Sequence, residues 1–183
     1  IFHYFGVKIF SRRGERELYV SNGIFFMLTV FGSTALDTIR TPKKTLKNVL
    51  GGAATFAAIS ASNFVDTGLI AVVGKDFPIK YHNILKKYLD LEGLSIENGK
   101  TFRYDGKYDQ TLSTRSTLKT ELNVFGNFRP ILPEKYRKSE FVYLANNDPE
   151  QNINLIKEFD KVKFSMCDTI DFWISTNSSQ STT

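Results

Sequence analysis

The sequence predicts an α/β fold with a mostly parallel sheet and helical crossovers, interrupted by an inserted antiparallel β element. Three observations carry this. MLTVFG (27–32) and GLIAVVG (68–74) are short, continuous apolar runs ending in glycine, the pattern of strands buried on both faces. Helix-like segments follow such runs, so strand and helix alternate along the chain, the order that builds a parallel sheet. Residues 111–125, TLSTRSTLKTELNVF, instead alternate in steps of two and belong to a half-covered strand outside that sheet.

Residues 1–26, IFHYFGVKIFSRRGERELYVSNGIFF, do not share this organisation, and the first Met is Met27. Their apolar stretch comes first, Lys8 interrupts it and no small-residue cleavage site follows, so a secretory signal is a poor fit. The segment reads as an extension of doubtful origin, with an extra strand or hairpin as the alternative. After the first strand, GGAATFAAISASNF (51–64) has the small residues of a helix packed close to a sheet. In 77–93, Pro78 can open a helix whose stripe is Tyr81, Ile84, Leu85, Tyr88 and Leu89, with Gly93 as its stop. FVYLAN (141–146), PEQNINLIKEF (149–159) and VKFSMCD (162–168) repeat strand, helix, strand.

In the middle, TFRYDGKYD (101–109) carries Asp105-Gly106, a hairpin signal between aromatic-bearing arms. The run 111–125 places Leu112, Leu118, Leu122 and Val124 on one side and polar residues on the other. The inserted β element is expected within about 100–126. STNSSQSTT (175–183) has no apolar anchor and reads as disordered.

At 183 residues, 42% apolar and 23% charged, the chain is one domain, with or without a small appendage. Sixteen Phe and eight Tyr suit an aromatic core or a ligand surface. One cysteine, Cys167, excludes a disulfide framework and suits a reducing compartment, so the expected location is cytoplasmic. No apolar run approaches the ~20 residues of a membrane span; IFFMLTVF, eight residues long, reads as a buried strand. The net charge of +5 is dispersed over SRRGER, PKKTLK and LKKYL, without a zinc knuckle or helix-turn-helix signal. A nucleic-acid partner is therefore not expected, nor a membrane one.

Gly51-Gly52 stands where a helix begins. Helix starts leave N–H groups unpaired, and glycine lets a ligand approach them; a structural turn uses the same residues. Neither G-x-G-x-x-G nor the phosphate-loop pattern occurs. Asp37 lies a few residues past the first buried strand, near where ligands collect in open α/β sheets. Its carboxylate suits either two ligand hydroxyls or the cap of a turn.

VFGSTALD, GGAATFAA and GLIAVVGKDFP, followed by an inserted β element, resemble in order and spacing the N-terminal half of the PfkB (ribokinase-like) carbohydrate kinases. The resemblance runs from about Met27 to Ile174, and TFRYDGKY, LNVFGNFRPILP and FVYLANNDPE are similar to a prokaryotic sugar-kinase subgroup. It implies a Rossmann-like, ribokinase-type α/β sandwich, here incomplete, with a β lid over the substrate. The implied reaction is ATP- and Mg²⁺-dependent phosphorylation of a sugar or nucleoside hydroxyl. By the same resemblance Asp37 binds sugar hydroxyls, Gly51 and Gly52 line the sugar site, and Asn146 faces the substrate. Arg103 and Arg115, on polar faces of the lid, would meet a substrate phosphate or acid. Phe56 and Ala35 stand where ribokinase-like members often have Asn, which argues against ribose itself. Lid pairing in the family makes a homodimer one expectation.

The family's catalytic base sits in a GAGD-type motif and its Mg²⁺-linked motif is N-x-x-E-like, both in the C-terminal half; no GAGD occurs here. The chain is accordingly expected to hold the substrate half, to be inactive by itself and to be poorly soluble. No catalytic or metal-binding residue is assigned. Asp168 reads as a turn cap, and His3 and His82 lack metal-site companions. The alternatives are a non-catalytic sugar-binding or interaction module and, last, a basic nucleic-acid binder.

Overall fold

In the computed structural model, which describes residues 27–177, five strands form an all-parallel sheet and four others a second sheet. The chain runs β1 (Met27–Phe31), β2 (Ala35–Arg40), β3 (Thr45–Gly51), α1 (Ala53–Ala61), β4 (Asp66–Gly74), α2 (Ile79–Tyr88) and β5 (Leu94–Glu97). It continues through β6 (Arg103–Tyr108), β7 (Arg115–Glu121), β8 (Phe141–Leu144), α3 (Pro149–Ile156), β9 (Phe164–Cys167) and α4 (Asp171–Asn177). The parallel sheet has the order β5-β4-β1-β8-β9.

The apolar runs are continuous because the central strands are covered on both sides. Phe31, Ile70 and Val72 point into one core with Phe125, Phe128, Leu132, Tyr136, Leu155 and Phe159. Val30, Leu69 and Ala71 point into the other, against Ala54 and Ala58 of α1, Leu85 of α2 and the adjoining Leu89. The small residues of α1 thus serve close packing on the sheet. The aromatic segment 125–136 covers the opposite face, where Tyr136 lies so close that a Cβ on Gly68 would sit 2.6 Å from its ring. Its hydroxyl bonds to the main-chain oxygen (2.9 Å) and the carboxylate (2.7 Å) of Asp90. Burial and that carboxylate push the phenol far above its usual range.

The helix over 77–93 is shorter than expected. It stops at Tyr88, because Leu89 is extended and Asp90 bridges to Gly68 beside β4. Gly93 is therefore not its stop but part of the approach to β5, a strand the apolar stripe concealed. Ile84, expected on that stripe, is exposed.

The second sheet has the order β3-β2-β6-β7 and draws two strands from 35–51, outside the 100–126 range expected for the lid. It is mixed rather than antiparallel, since β2 and β6 run parallel. Asp105-Gly106 is not a hairpin turn: both lie inside β6, where Asp105 pairs with Arg40 of β2 through two 2.8 Å hydrogen bonds. The turn comes later and is built on Asp109, whose carboxylate accepts from the Ser113 and Thr114 N–H groups. Strand β7 spans only Arg115–Glu121 of the alternating run; on its apolar side Leu112 and Leu118 are exposed, whereas Leu122 and Val124 pack against the core.

The edge strand β9 is exposed at all four positions, Cys167 included. Helix α4 carries regular structure to Asn177, into the stretch expected to be disordered. The N-terminal extension and 178–183 lie outside the described residues. No helix among the described residues is long and apolar enough to cross a membrane.

Tyr136→Phe keeps the packing and deletes a hydroxyl bonded to a carboxylate, so it should lower the unfolding free energy by about 1–3 kcal/mol. Urea denaturation with an unchanged m-value checks this.

Candidate functional site

The parallel sheet builds outward from β1 in both directions, to β4 and β5 on one side and to β8 and β9 on the other. The order reverses between β1 and β8, and in such sheets the crevice beyond the strands' carboxyl ends is the natural ligand position. Those ends are Gly32-Ser33-Thr34 and Ala145-Asn146-Asn147. They pack tightly, for a Cβ on Gly32 would lie 2.9 Å from that of Ala145. From Thr34 the chain enters β2, the inner strand of the lid.

Asp37 lies on β2 itself, paired with Val49, while Ala35 pairs with Gly51. Its carboxylate fills the space a side chain on Gly51 would take: a Cβ there would lie 2.0 Å from Oδ2. Gly52 has φ of +100°, and a Cβ on it would meet the Ser33 carbonyl oxygen at 2.3 Å. Sheet register thus brings Asp37, Gly51 and Gly52 into one junction between lid and core.

The carboxylate is poorly compensated. Oδ1 of Asp37 is buried and has no hydrogen-bond partner among the described residues. Burial pushes its pKa up to about 6, against the opposing pull of the Arg115 cation and the Tyr104 N–H. Arg115 lies 5.2 Å over the Tyr104 ring, and the Tyr104 hydroxyl bonds to Thr117 at 3.0 Å. One face of the lid therefore assembles an acceptor, a cation and an aromatic ring. A buried acceptor left unpaired is ready for a donor from a ligand.

The start of α1 is less open than its glycines suggest. Ser33 Oγ accepts from the Ala53 N–H at 3.1 Å, and the Ser33 carbonyl accepts from the Ala54 N–H at 3.2 Å. These glycines therefore make room for Ser33 and Asp37 rather than leaving an open anion cradle. Thr34 and Thr55, both fully buried, bond beside this junction at 3.1 Å.

Asn146 is half-buried at the end of β8, and its neighbour Asn147 is 2% exposed with an unpartnered Oδ1. Arg103, expected to face a substrate phosphate or acid, is instead engaged by Asp76 at 2.7 Å and by Asn48. The fold uses both guanidinium amino groups. Asp168 accepts from Tyr143, whose phenol burial and this carboxylate push up to about 12. His82 Nδ1 is buried without a hydrogen-bond partner among the described residues, and His3 lies outside them. Ser33, Asn147 and Asp76 escaped the sequence reading. A serine two residues past a buried strand was the available signal for the first, and the GKD that follows β4 for the last.

Among the described residues no three His, Cys, Asp or Glu side chains are grouped to hold a metal ion.

No protein-family model matches the chain. A cytidine kinase of Thermococcus kodakarensis is 29% identical over 131 residues, 70% of this chain and 46% of that protein. The nucleoside kinase of Methanocaldococcus jannaschii, an archaeal member of the ribokinase family, is similar in structure with a TM-score of 0.61 and 23% identity, covering 78% of this chain and 52% of its own. A Cryptococcus neoformans ribokinase in complex with ADP gives a TM-score of 0.66 at 13% identity, over 84% of this chain and 52% of its own. An uncharacterized sugar kinase of Pyrococcus horikoshii in complex with ATP gives 0.63 at 14% identity, over 84% and 57%. The fold is therefore of the ribokinase type, as the resemblance implied, and the chain spans about half the length of the relatives it matches.

Asp37 leaves a pH signature. Between the ordinary carboxylate value of 3.8 and about 6, the folded chain keeps a proton that the unfolded chain has lost. Its contribution to stability is thus fully present below that window and falls as pH rises through it. Urea midpoints across pH 4–7 should show this fall in the wild type and lose it in Asp37→Asn.

Proposed function

We propose that this chain supplies the acceptor-binding half of an ATP-dependent kinase that phosphorylates a hydroxyl of a nucleoside or sugar. The observation that carries the reading is the buried, unpartnered Asp37 oxygen at the junction of lid and core. An ionised carboxylate only accepts hydrogen bonds, and its two oxygens suit a pair of neighbouring hydroxyls. Tyr104 holds the carboxylate from its backbone, Arg115 favours its ionised form, and Gly51 keeps its place clear. Asn146 and Asn147 offer amides at the neighbouring strand end for the rest of the acceptor. Gly52 serves by admitting the turn that delivers α1.

The relatives favour a nucleoside over a free sugar as first substrate, since a cytidine kinase and a nucleoside kinase are both among them. Phosphoryl transfer also needs a base at the attacking hydroxyl and neutralisation of the phosphate charge. This chain's residues bind and orient the acceptor, and no step of the transfer is assigned to them. ATP and Mg²⁺ belong, in this reading, with the catalytic half that the resemblance places C-terminal.

Calorimetry with cytidine and with ribose tests the reading. Cytidine should bind the wild-type chain at pH 7.5 and more weakly as pH falls below about 6, where Asp37 takes up its proton. Asp37→Ala and Gly51→Ala should each abolish the heat, the second by displacing the carboxylate. An ATP-coupled assay of the 183-residue chain should show no turnover. Equal affinity of cytidine for wild type and Asp37→Ala would sink the proposal; turnover by the chain would sink the assignment of the chemistry elsewhere.

A further inference from the structure

Ala35 bridges to Phe102 and the Leu36 N–H donates to the Phe102 carbonyl, which extends the pairing of β2 with β6 inside the lid. The lid is tied to the core by one connected set of side chains. Asp76, in the turn after β4, accepts at Oδ1 from both the N–H and the hydroxyl of Thr101, each at 2.7 Å. The Gly74 N–H in turn donates to that hydroxyl at 3.0 Å, and Thr101 is fully buried. The remaining oxygen, Oδ2, accepts from Nη2 of Arg103 on β6 at 2.7 Å.

Arg103 then reaches a second lid strand, where its Nη1 donates to the side chain of Asn48 on β3. Asn48 sits where the pairing of β2 with β3 jumps from Asp37↔Val49 to Ile39↔Leu46, a bulge that re-aims a side chain. Its φ of +54° is left-handed, a conformation asparagine tolerates better than most residues. The Asn48 carbonyl also accepts from the Tyr81 hydroxyl of α2 at 3.0 Å. Two lid strands are thereby tied to two separate parts of the core.

We propose that Asp76, Arg103 and Asn48 form a latch that fixes the lid over the junction with the core, which makes Arg103 a positioning residue for the ligand rather than a ligand contact. The inference rests on reading that junction as the acceptor site. Arg103 precedes Tyr104 on β6, and Asn48 precedes Val49, the partner of Asp37 on β3. The latch sets how far Tyr104, on the same strand as Arg103, and Arg115, on β7, stand from the ends of β1 and β8.

Hydrogen exchange measured peptide by peptide tests this on the whole chain. Asp76→Asn is nearly isosteric, keeps an oxygen for Thr101 and turns a donor toward Arg103. Arg103→Met should break the same link from the other side. In each, amides of the lid (35–50 and 103–121) should exchange about tenfold faster, with β1 and β4 unchanged. The double variant should be no faster than the faster single, and Arg103→Lys should recover part of the protection. Unchanged lid exchange, or equal acceleration in β1 and β4, overturns the latch. Should Arg103→Met not fold, Asp76→Asn and Arg103→Lys decide by the same criteria. Cytidine affinity should fall in step with lid protection and be partly rescued in Arg103→Lys; affinity unmoved by an opened lid overturns the positioning role. If cytidine does not bind the wild-type chain, the substrate reading fails, while the exchange data still decide whether the latch exists.

Discussion

Asp37 can lie where it does only because Gly51 has no side chain. The two residues share one volume: the carboxylate occupies the direction in which any other residue at 51 would project. That substitution of space has a thermodynamic cost, because one oxygen loses water without gaining a donor. Much of the surrounding geometry follows from accommodating it. Gly52 takes a left-handed φ so that the chain can turn from β3 into α1 beneath Ser33, and Ser33 then satisfies the first N–H groups of that helix. The same N–H groups that might have held an anion are satisfied internally. At the start of α1 the unpaired group is the carboxylate of Asp37, which accepts hydrogen bonds and does not donate them.

The parallel sheet puts this junction at its centre. β1 feeds the lid directly from its carboxyl end, and the strand order reverses between β1 and β8, which sets Asn146 and Asn147 at the neighbouring strand end. The outer edge contrasts with it. Val30, Phe31 and the run from Leu69 to Val73 are fully buried, whereas all four residues of β9 are exposed. A parallel strand bare on both faces is an open template for further strands. The chain spans about half the length of its relatives.

Where the physics was local or strongly periodic, the elements were legible in the sequence. Continuous apolar runs gave β1 and β4, and small residues gave α1, because burial on both faces demands them. The lid was read less well because its pairings are long-range. Asp105-Gly106 has the composition of a turn, yet Arg40, 65 positions away, engages Asp105 through two hydrogen bonds and keeps it in a strand. The alternation of 111–125 is real, but Asp109 gathers the first residues into a turn, so the strand begins only at Arg115. That Asp37 and the glycine pair adjoin was legible from residue type and placement. Ser33 was signalled only by its place two residues past a buried strand, and nothing in its own segment distinguishes Asn147 from ordinary asparagines.

Arg103 and Arg115 show why residue type alone could not assign the lid's cations. Each sits on a lid strand, and each is chemically able to meet an anionic group. The neighbours decide between them. Arg103 lies beside the turn after β4, where Asp76 presents one oxygen already aligned by Thr101, and a partly buried charge-assisted pair is a stronger partner than solvent. Arg115 finds only the face of Tyr104 and, at longer range, the carboxylate of Asp37. A guanidinium on an aromatic ring keeps donors in the ring plane free to bond. The first cation is therefore spent on joining β6 to the turn after β4, while the second lies over an aromatic ring on the face of the lid that carries Asp37.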